Sequence, residues 1–341
     1  MSAQPLAVLR TGLVTSVGLS APAACAAMRA KLSNPSETRF IDSGGEWIMA
    51  HQVPLDRPWR GLAKLTRMAV MAIEEALADM PKVEWSRIPL LLCVAERARP
   101  GRIDGLEDQL IVDIQQELGT RFAPESGIVP HGRVSVALAL AQARELIQLQ
   151  KARNVLIAAT DTLITWSTLS HYESKDRLLT PRNSNGFMPG EGAGALLVGA
   201  LTGQPELACT GIGFGVEKAH IESEEPLRAD GLTTAIKAAL ADAGCAMHDM
   251  DYRITDLSGE QYYFKEAALA LSRTLRQRKE EFDLWHPAEC TGEAGALAGA
   301  SVIAIGDAAC RKAYTKGPAI LVHMANDAGR RAAMTFRFGA R

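Results

Sequence analysis

Apolar positions recur along this chain in two alternating textures. Short runs such as Leu6–Leu13, Ile88–Val94 and Asn154–Thr160 (NVLIAAT) are dense in Val, Ile and Leu and predict strands covered on both faces. Between them lie longer Ala-rich stretches whose apolar residues return every three or four positions. These predict helices over Ala21–Leu32, Leu62–Met80 and Val134–Gln150. The later part repeats the order, with helices over 231–243, 263–278 and 294–313 and strands over 252–257 and 318–324. Strands alternating with amphipathic helices predict an α/β protein with a mostly buried sheet.

The repetition extends to residues. Ala72–Met80 reads AIEEALADM and Ala235–Ala243 reads AIKAALADA. Ala-rich helices match by chance easily, but the same element order around both segments favours an internal duplication. The pattern breaks at Gly199–Pro205 (GALTGQP), which divides the chain into an N-terminal half, 1–204, and a C-terminal half, 205–341.

At 341 residues, 47% of them hydrophobic, the chain can bury a large core. A net charge of -2 with 22% charged residues offers no general attraction to nucleic acid or to an anionic membrane surface. No apolar run is long enough to span a bilayer, and a cytoplasmic protein without membrane insertion is expected. The six cysteines are scattered without a CxxC pair, so reduced, mostly buried thiols are expected instead of a disulfide framework or a zinc site. His286, Glu289 and Cys290 are close in sequence but match no tight metal-ligand spacing, and nothing calls for a cofactor.

Asn185–Val198 (NGFMPGEGAGALLV) carries the most specific signal. Gly190, Gly192 and Gly194 permit close backbone approach, and Ala195–Val198 reads as a strand buried on both faces. The segment precedes a strand and does not read GxGxxG, which disfavours a dinucleotide loop. It resembles the DGFxxGEGAGxLVL stretch of the β-ketoacyl synthases, members of the thiolase superfamily. Three further segments resemble that family in the right order: Thr11–Gly18 (TGLVTSVG), Thr210–Asp242 with His220–Ile221 and Pro226, and Thr291–Gly299 (TGEAGALAG). The resemblance implies a thiolase fold, with duplicated βαβ halves in a layered α-β-α-β-α arrangement. It also implies a dimer, homomeric or with a ketosynthase relative, joined near the helix Val134–Gln150 and its adjoining strand. An acyl carrier protein is a further partner that it suggests.

The residues that the resemblance makes catalytic are replaced. Condensing ketosynthases hold an acyl group on a cysteine at a helix N-terminus and use two histidines, with a lysine nearby. Here the helix is entered through Ile128–Ser135 (IVPHGRVS), which has no cysteine. The nucleophile position falls on His131 or a few residues later, near Val134 or Ser135. The first histidine matches Ser258, the second matches Glu293, and the lysine matches Ala288. In the C-terminal loop Asn326–Arg331 (NDAGRR), Asp327 stands where the family has a gating phenylalanine, which implies an acyl pocket lined with charge.

Glu293 also has a structural reading, as an acid in the first turn of helix 294–313, where the macrodipole favours it. Ser135 reads as a hydrogen-bonded helix residue, and His131 as a cap. These departures imply a non-catalytic relative that acts as a partner or adaptor subunit, in the manner of a chain length factor. The alternative is an acyltransferase or 3-oxoacyl carrier-protein synthase-type enzyme with a non-standard nucleophile. In that reading Ser135 or Cys290 attacks, with His131 or Glu293 as base, and Cys290 ahead of a helix has a lowered pKa.

Overall fold

The computed structural model describes residues 4–339. Ten strands form one continuous sheet, and its order shows a repeat. The first five are β1 (Leu6–Val14), β4 (Leu90–Val94), β5 (Gly127–Pro130), β6 (Asn154–Thr162) and β7 (Glu191–Gly199). The last five are β8 (Leu207–Val216), β9 (Tyr252–Thr255), β10 (Leu284–Trp285), β11 (Ala319–Ala325) and β12 (Arg330–Phe338). A small hairpin of β2 (Ser36–Ile41) and β3 (Trp47–Ala50) stands apart.

Across the large sheet the order is β10-β9-β11-β12-β8-β1-β7-β6-β4-β5. Numbered within each set of five, both sets read 3-2-4-5-1. In both, the second strand is parallel to the third and fourth, and the fifth is antiparallel to its two neighbours. The sets meet along only three residue pairs, Leu6↔Cys209, Ala7↔Ala208 and Val8↔Leu207.

Helices complete the repeat. The N-terminal part carries α1 (Ala21–Arg29), α2 (Gly61–Ala76), α3 (Lys82–Trp85), α4 (Gln109–Leu118), α5 (Ser135–Gln148) and α6 (Trp166–Ser174). The C-terminal part carries α7 (Asp230–Ala243), α8 (Gln261–Thr274), α9 (Ala288–Thr291) and α10 (Leu297–Arg311). Residues of α5 and α10 join both sets of strands in the central core, through Val136, Leu140, Leu297 and Ile303 among others. On one outer face α2 and α4 pack on β4, β6 and β7, and on the other α7 and α8 pack on β11 and β12. The result is the expected five-layered α-β-α-β-α thiolase fold, with its central helices sheathed by the two halves of the sheet.

The short sequence match is true to register. A Cβ placed on Gly12 of β1 would lie 2.0 Å from the Ala72 carbonyl oxygen and 3.1 Å from the Ala76 nitrogen. One placed on Gly213 of β8 would lie 2.2 Å from the Ala235 carbonyl oxygen and 2.4 Å from the Ala239 nitrogen. Ala72 matches Ala235 and Ala76 matches Ala239 in the sequence comparison, so each helix rides equally close over a glycine of its half's first strand. Gly213→Ala is therefore expected to destabilise the protein by about 2 kcal/mol in urea unfolding, through overpacking against backbone that cannot yield. Gly127→Ala, with open space around the new methyl, is the control expected to stay within about 0.5 kcal/mol.

Several expected boundaries shift. Helix α2 ends at Ala76, short of Met80, and α8 spans Gln261–Thr274 in place of 263–278. Helix α10 begins only at Leu297, so Glu293 is not in its first turn. Its backbone instead exchanges hydrogen bonds with Met188 and Gly190 of the glycine-rich segment. The strand after that segment is longer than Ala195–Val198, and all nine residues of β7 are buried.

Candidate functional site

The C-terminal ends of the parallel strands in both halves converge at the entrance to α5. In the N-terminal half, β5 runs into His131, then a single 3₁₀ turn over Gly132–Val134, then α5. Gly132 has φ +57°, and the Glu96 carboxyl occupies the space where its side chain would stand. This left-handed step turns the next residue, Arg133, inward between the two halves. The C-terminal half sends four groups to meet it: Asp256 after β9, Tyr263 of α8, Glu293 before α10, and Asp327 from the tight β11–β12 turn.

Arg133 is buried and fully engaged. Its guanidinium lies 3.1 Å from Glu293 Oε2 and 2.8 Å from Asp327 Oδ1, donates to the Tyr263 hydroxyl at 2.8 Å, and sits 3.8 Å from Asp256. Two more arginines extend the cluster. Arg177 makes a bidentate pair with Glu260 at 2.7 and 2.9 Å and reaches Asp327 at 2.7 Å. Arg99 grips Asp161 with two bonds of 2.7 Å, and Asp161 also accepts from the Ala296 N–H. Tyr172 donates to Asp327 as well. What remains open among these side chains is a cavity of about 20 Å³, room for roughly one water. A second void of about 20 Å³ lies beside Thr255, Ala288 and Ser301. Neither approaches the several hundred Å³ typical of a small-molecule site.

Electrostatics follow from the count. Three guanidiniums (Arg99, Arg133, Arg177) face six carboxyls (Glu96, Asp161, Asp256, Glu260, Glu293, Asp327), an excess that burial in low dielectric makes costly. Part of it is relieved by holding protons. Burial, with Asp256 and Asp327 nearby, pushes the Glu293 carboxyl up to about 7 against the pull of Arg133. Burial also raises Glu96 and Asp256. Asp327 goes the other way: although burial opposes it, Arg133, Arg177 and the Tyr263 hydroxyl hold it well below the usual carboxylate range.

The residues singled out from sequence fall into two groups. Ser258 and Glu293, at the two histidine positions, do meet, with the Ser258 hydroxyl donating to Glu293 Oε2 at 3.1 Å. Asp327 joins them through Arg133 and lines the small cavity that remains. The others are elsewhere or occupied. Ser135 is buried, its Oγ accepting from the His131 N–H at 2.9 Å and donating to the Val94 carbonyl at 3.4 Å, as a structural serine would.

His131 precedes the 3₁₀ turn without a side-chain cap bond, and burial with the nearby Arg330 and Arg97 lowers its pKa. Ala288 begins the short helix α9. Cys290 lies within α9, buried, and burial with the adjacent Glu289 pushes its thiol up to about 11, opposite to the lowered value expected of a thiolate nucleophile. Among the described residues no three His, Cys, Asp or Glu side chains are grouped to hold a metal, His286, Glu289 and Cys290 included.

Arg133 is the residue at the centre of this cluster that the sequence comparison passed over. The signal was available: it is the only residue with a permanent charge in Ile128–Leu140, directly ahead of the apolar first turns of α5. A buried arginine there requires acids from elsewhere in the chain.

No family model and no curated protein matches this chain. Solved structures do, over nearly the whole chain. The ishigamide ketosynthase/chain length factor superimposes with a TM-score of 0.81 at 18% identity, covering 98% of this chain and 99% of that one. A type II PKS acyl-carrier protein in complex with its ketosynthase bound to the hexaketide gives 0.80 at 15% identity, covering 98% and 99%. The ketosynthase ApeO in complex with its chain length factor ApeC, from Xenorhabdus doucetiae, gives 0.78 at 12% identity, covering 98% of each chain. The chain thus has the fold of the ketosynthases and their chain length factors.

Proposed function

We propose that this protein is a non-catalytic, ketosynthase-like subunit that acts by binding another protein, in the manner of a chain length factor beside an active ketosynthase. The observation that carries the reading is the Arg133 cluster. At the helix entrance where a condensing enzyme needs a nucleophile and an acyl-sized cavity, a guanidinium is paired to Glu293 and Asp327 and the space is filled. Ser258 is spent on Glu293, and Glu293 is itself engaged by Arg133, so neither is free to donate to an enolate.

The solved ketosynthase and chain length factor complexes support the choice of partner. The edge strand β5 and the adjoining α5 supply the joining surface in this reading, with a second copy or a ketosynthase relative across it. An acyl carrier protein is a further partner. The acyltransferase alternative rests on Ser135 or Cys290, of which one is held by two hydrogen bonds and the other is a buried, weakly acidic thiol.

Two measurements test the proposal together. Intact mass after incubation with acyl and malonyl thioesters is expected to show no adduct, and carbon dioxide release from malonyl carrier protein is expected to stay at background. Sedimentation with and without a ketosynthase relative is expected to show a complex or a homodimer at micromolar concentration. An acyl adduct abolished by Ser135→Ala or Cys290→Ala would overturn the non-catalytic reading. A folded monomer that ignores every added ketosynthase would remove the partner role.

A further inference from the structure

Away from the filled site, a cavity of about 540 Å³ opens at the far edge of the sheet, beside β10 and the C-terminal end of α1. Trp285 and Tyr314 line it, with Tyr252 packed behind Trp285. Tyr252 is buried and hydrogen-bonded to Thr315, and its ring centre lies 4.7 Å from that of Trp285. Trp285 is nearly parallel to Tyr314, with an interplanar angle of 19° and centres 6.5 Å apart. The Arg29 guanidinium stands 4.2 Å above the Tyr314 ring. Met28 and Ile305 supply an apolar floor.

The charges are unevenly satisfied. Lys31 is 3.7 Å from Glu289, and Asp283 is 3.1 Å from Lys316. Arg29 has no carboxylate partner among the described residues and makes only the stacking contact. A guanidinium with no carboxylate partner has N–H groups to spare, and those match a carboxylate bidentately. The acids at the rim, Asp283 and Glu289, oppose a polyanion.

We propose that this cavity binds an aryl monocarboxylate. The ligand's ring packs against Trp285 over the Met28 and Ile305 floor, and its carboxylate is held by Arg29. The site is separate from the Arg133 cluster, and its ligand does not depend on whether the protein pairs with a ketosynthase.

Calorimetric titration of the full chain with 2-naphthoate tests this, with 2-naphthylmethylamine and AMP as comparators. One site is expected, with a dissociation constant on the order of 0.1 mM. Arg29→Met is expected to weaken it about 10-fold or more. Trp285→Leu is expected to weaken it comparably, whereas Trp166→Leu on a distant surface leaves it unchanged. Arg29 is exposed, so its variant reports on binding even if Trp285→Leu fails to fold. Tighter binding of the amine or of AMP, Arg29→Met retaining affinity within about twofold, or no saturable binding of naphthoate to several millimolar would each overturn the proposal.

Discussion

Replacing Arg133 by methionine is expected to cost about 3–5 kcal/mol of unfolding free energy, among the largest single-residue effects in this protein. The guanidinium is buried and neutralises Glu293 and Asp327 directly and Asp256 at slightly longer range. Methionine fits the space but leaves three carboxyls facing one another without it. Urea unfolding monitored by circular dichroism checks the figure.

The companion variant is Arg133→Met with Glu293→Gln and Asp256→Asn. It is expected to recover much of the loss, because the cost lies in stranded charge more than in a missing contact. A single variant as stable as the parent would mean that the cluster is not the electrostatic centre described above.

The contribution of Glu293 to stability is expected to fall as pH rises from about 4.5 to about 7, opposed in the same window by His51 and His323, whose burial keeps them neutral. The sign follows from Glu293. Its carboxyl titrates near 4.5 when unfolded and is pushed up to about 7 when folded, so the folded state holds the extra proton in that window. The stabilisation is fully present below 4.5 and is lost through 7. At about 1.4 kcal/mol per unit, the group contributes roughly 3 kcal/mol across the interval. Glu96 and Asp256, also raised, add in the same direction.

Asp327 acts oppositely: it is held low when folded, so it supports the structure above about 3.8 and that support fades in stronger acid. Unfolding measured from pH 3 to 8 checks the Glu293 contribution by difference: between 4.5 and 7 the parent should lose roughly 3 kcal/mol relative to Glu293→Gln. The same pH dependence in both proteins would assign the proton elsewhere.

The fold was largely legible because its central elements advertise themselves. Strands β1, β6, β7 and β11 are long apolar runs, α5, α7 and α10 are Ala-rich and amphipathic, and the match of Ala72 to Ala235 marks equivalent helix–glycine contacts. Two long strands were not anticipated. In β8 (LACTGIGFGV), Gly211, Gly213 and Gly215 let α7 lie against the strand, and that same glycine content hides it from an apolar-run pattern. In β12 (RRAAMTFRF), the buried Arg331 pairs with Glu266, so a charged residue sits inside a strand that reads as polar at its start.

The site was half legible. Ser258, Glu293 and Asp327 were found by position, because each sits in a recognisable turn. Arg133 was not found, because its partners lie at 256, 293 and 327 and no local spacing joins them to it. The placement of Glu293 failed for a related reason. A carboxylate ahead of an apolar run looks like a helix-start residue, whereas its actual hold comes from Arg133 of the other half and from Ser258 and the Gly295 N–H of its own.

Arg133 and Arg177 come from the first half of the chain, and the acids they hold, Asp256, Glu260, Glu293 and Asp327, come from the second. On the non-catalytic reading proposed above, this division makes a route to condensing chemistry steep for evolution. A cysteine introduced at the helix entrance would strand the facing carboxyls, and a histidine introduced at 293 would set a second basic group against the arginine. Each change taken alone passes through a less stable protein, and only several made together could open a pocket there. Mutation and selection acting one residue at a time would therefore hold this scaffold where it is, free to change its outer surfaces while its centre stays locked.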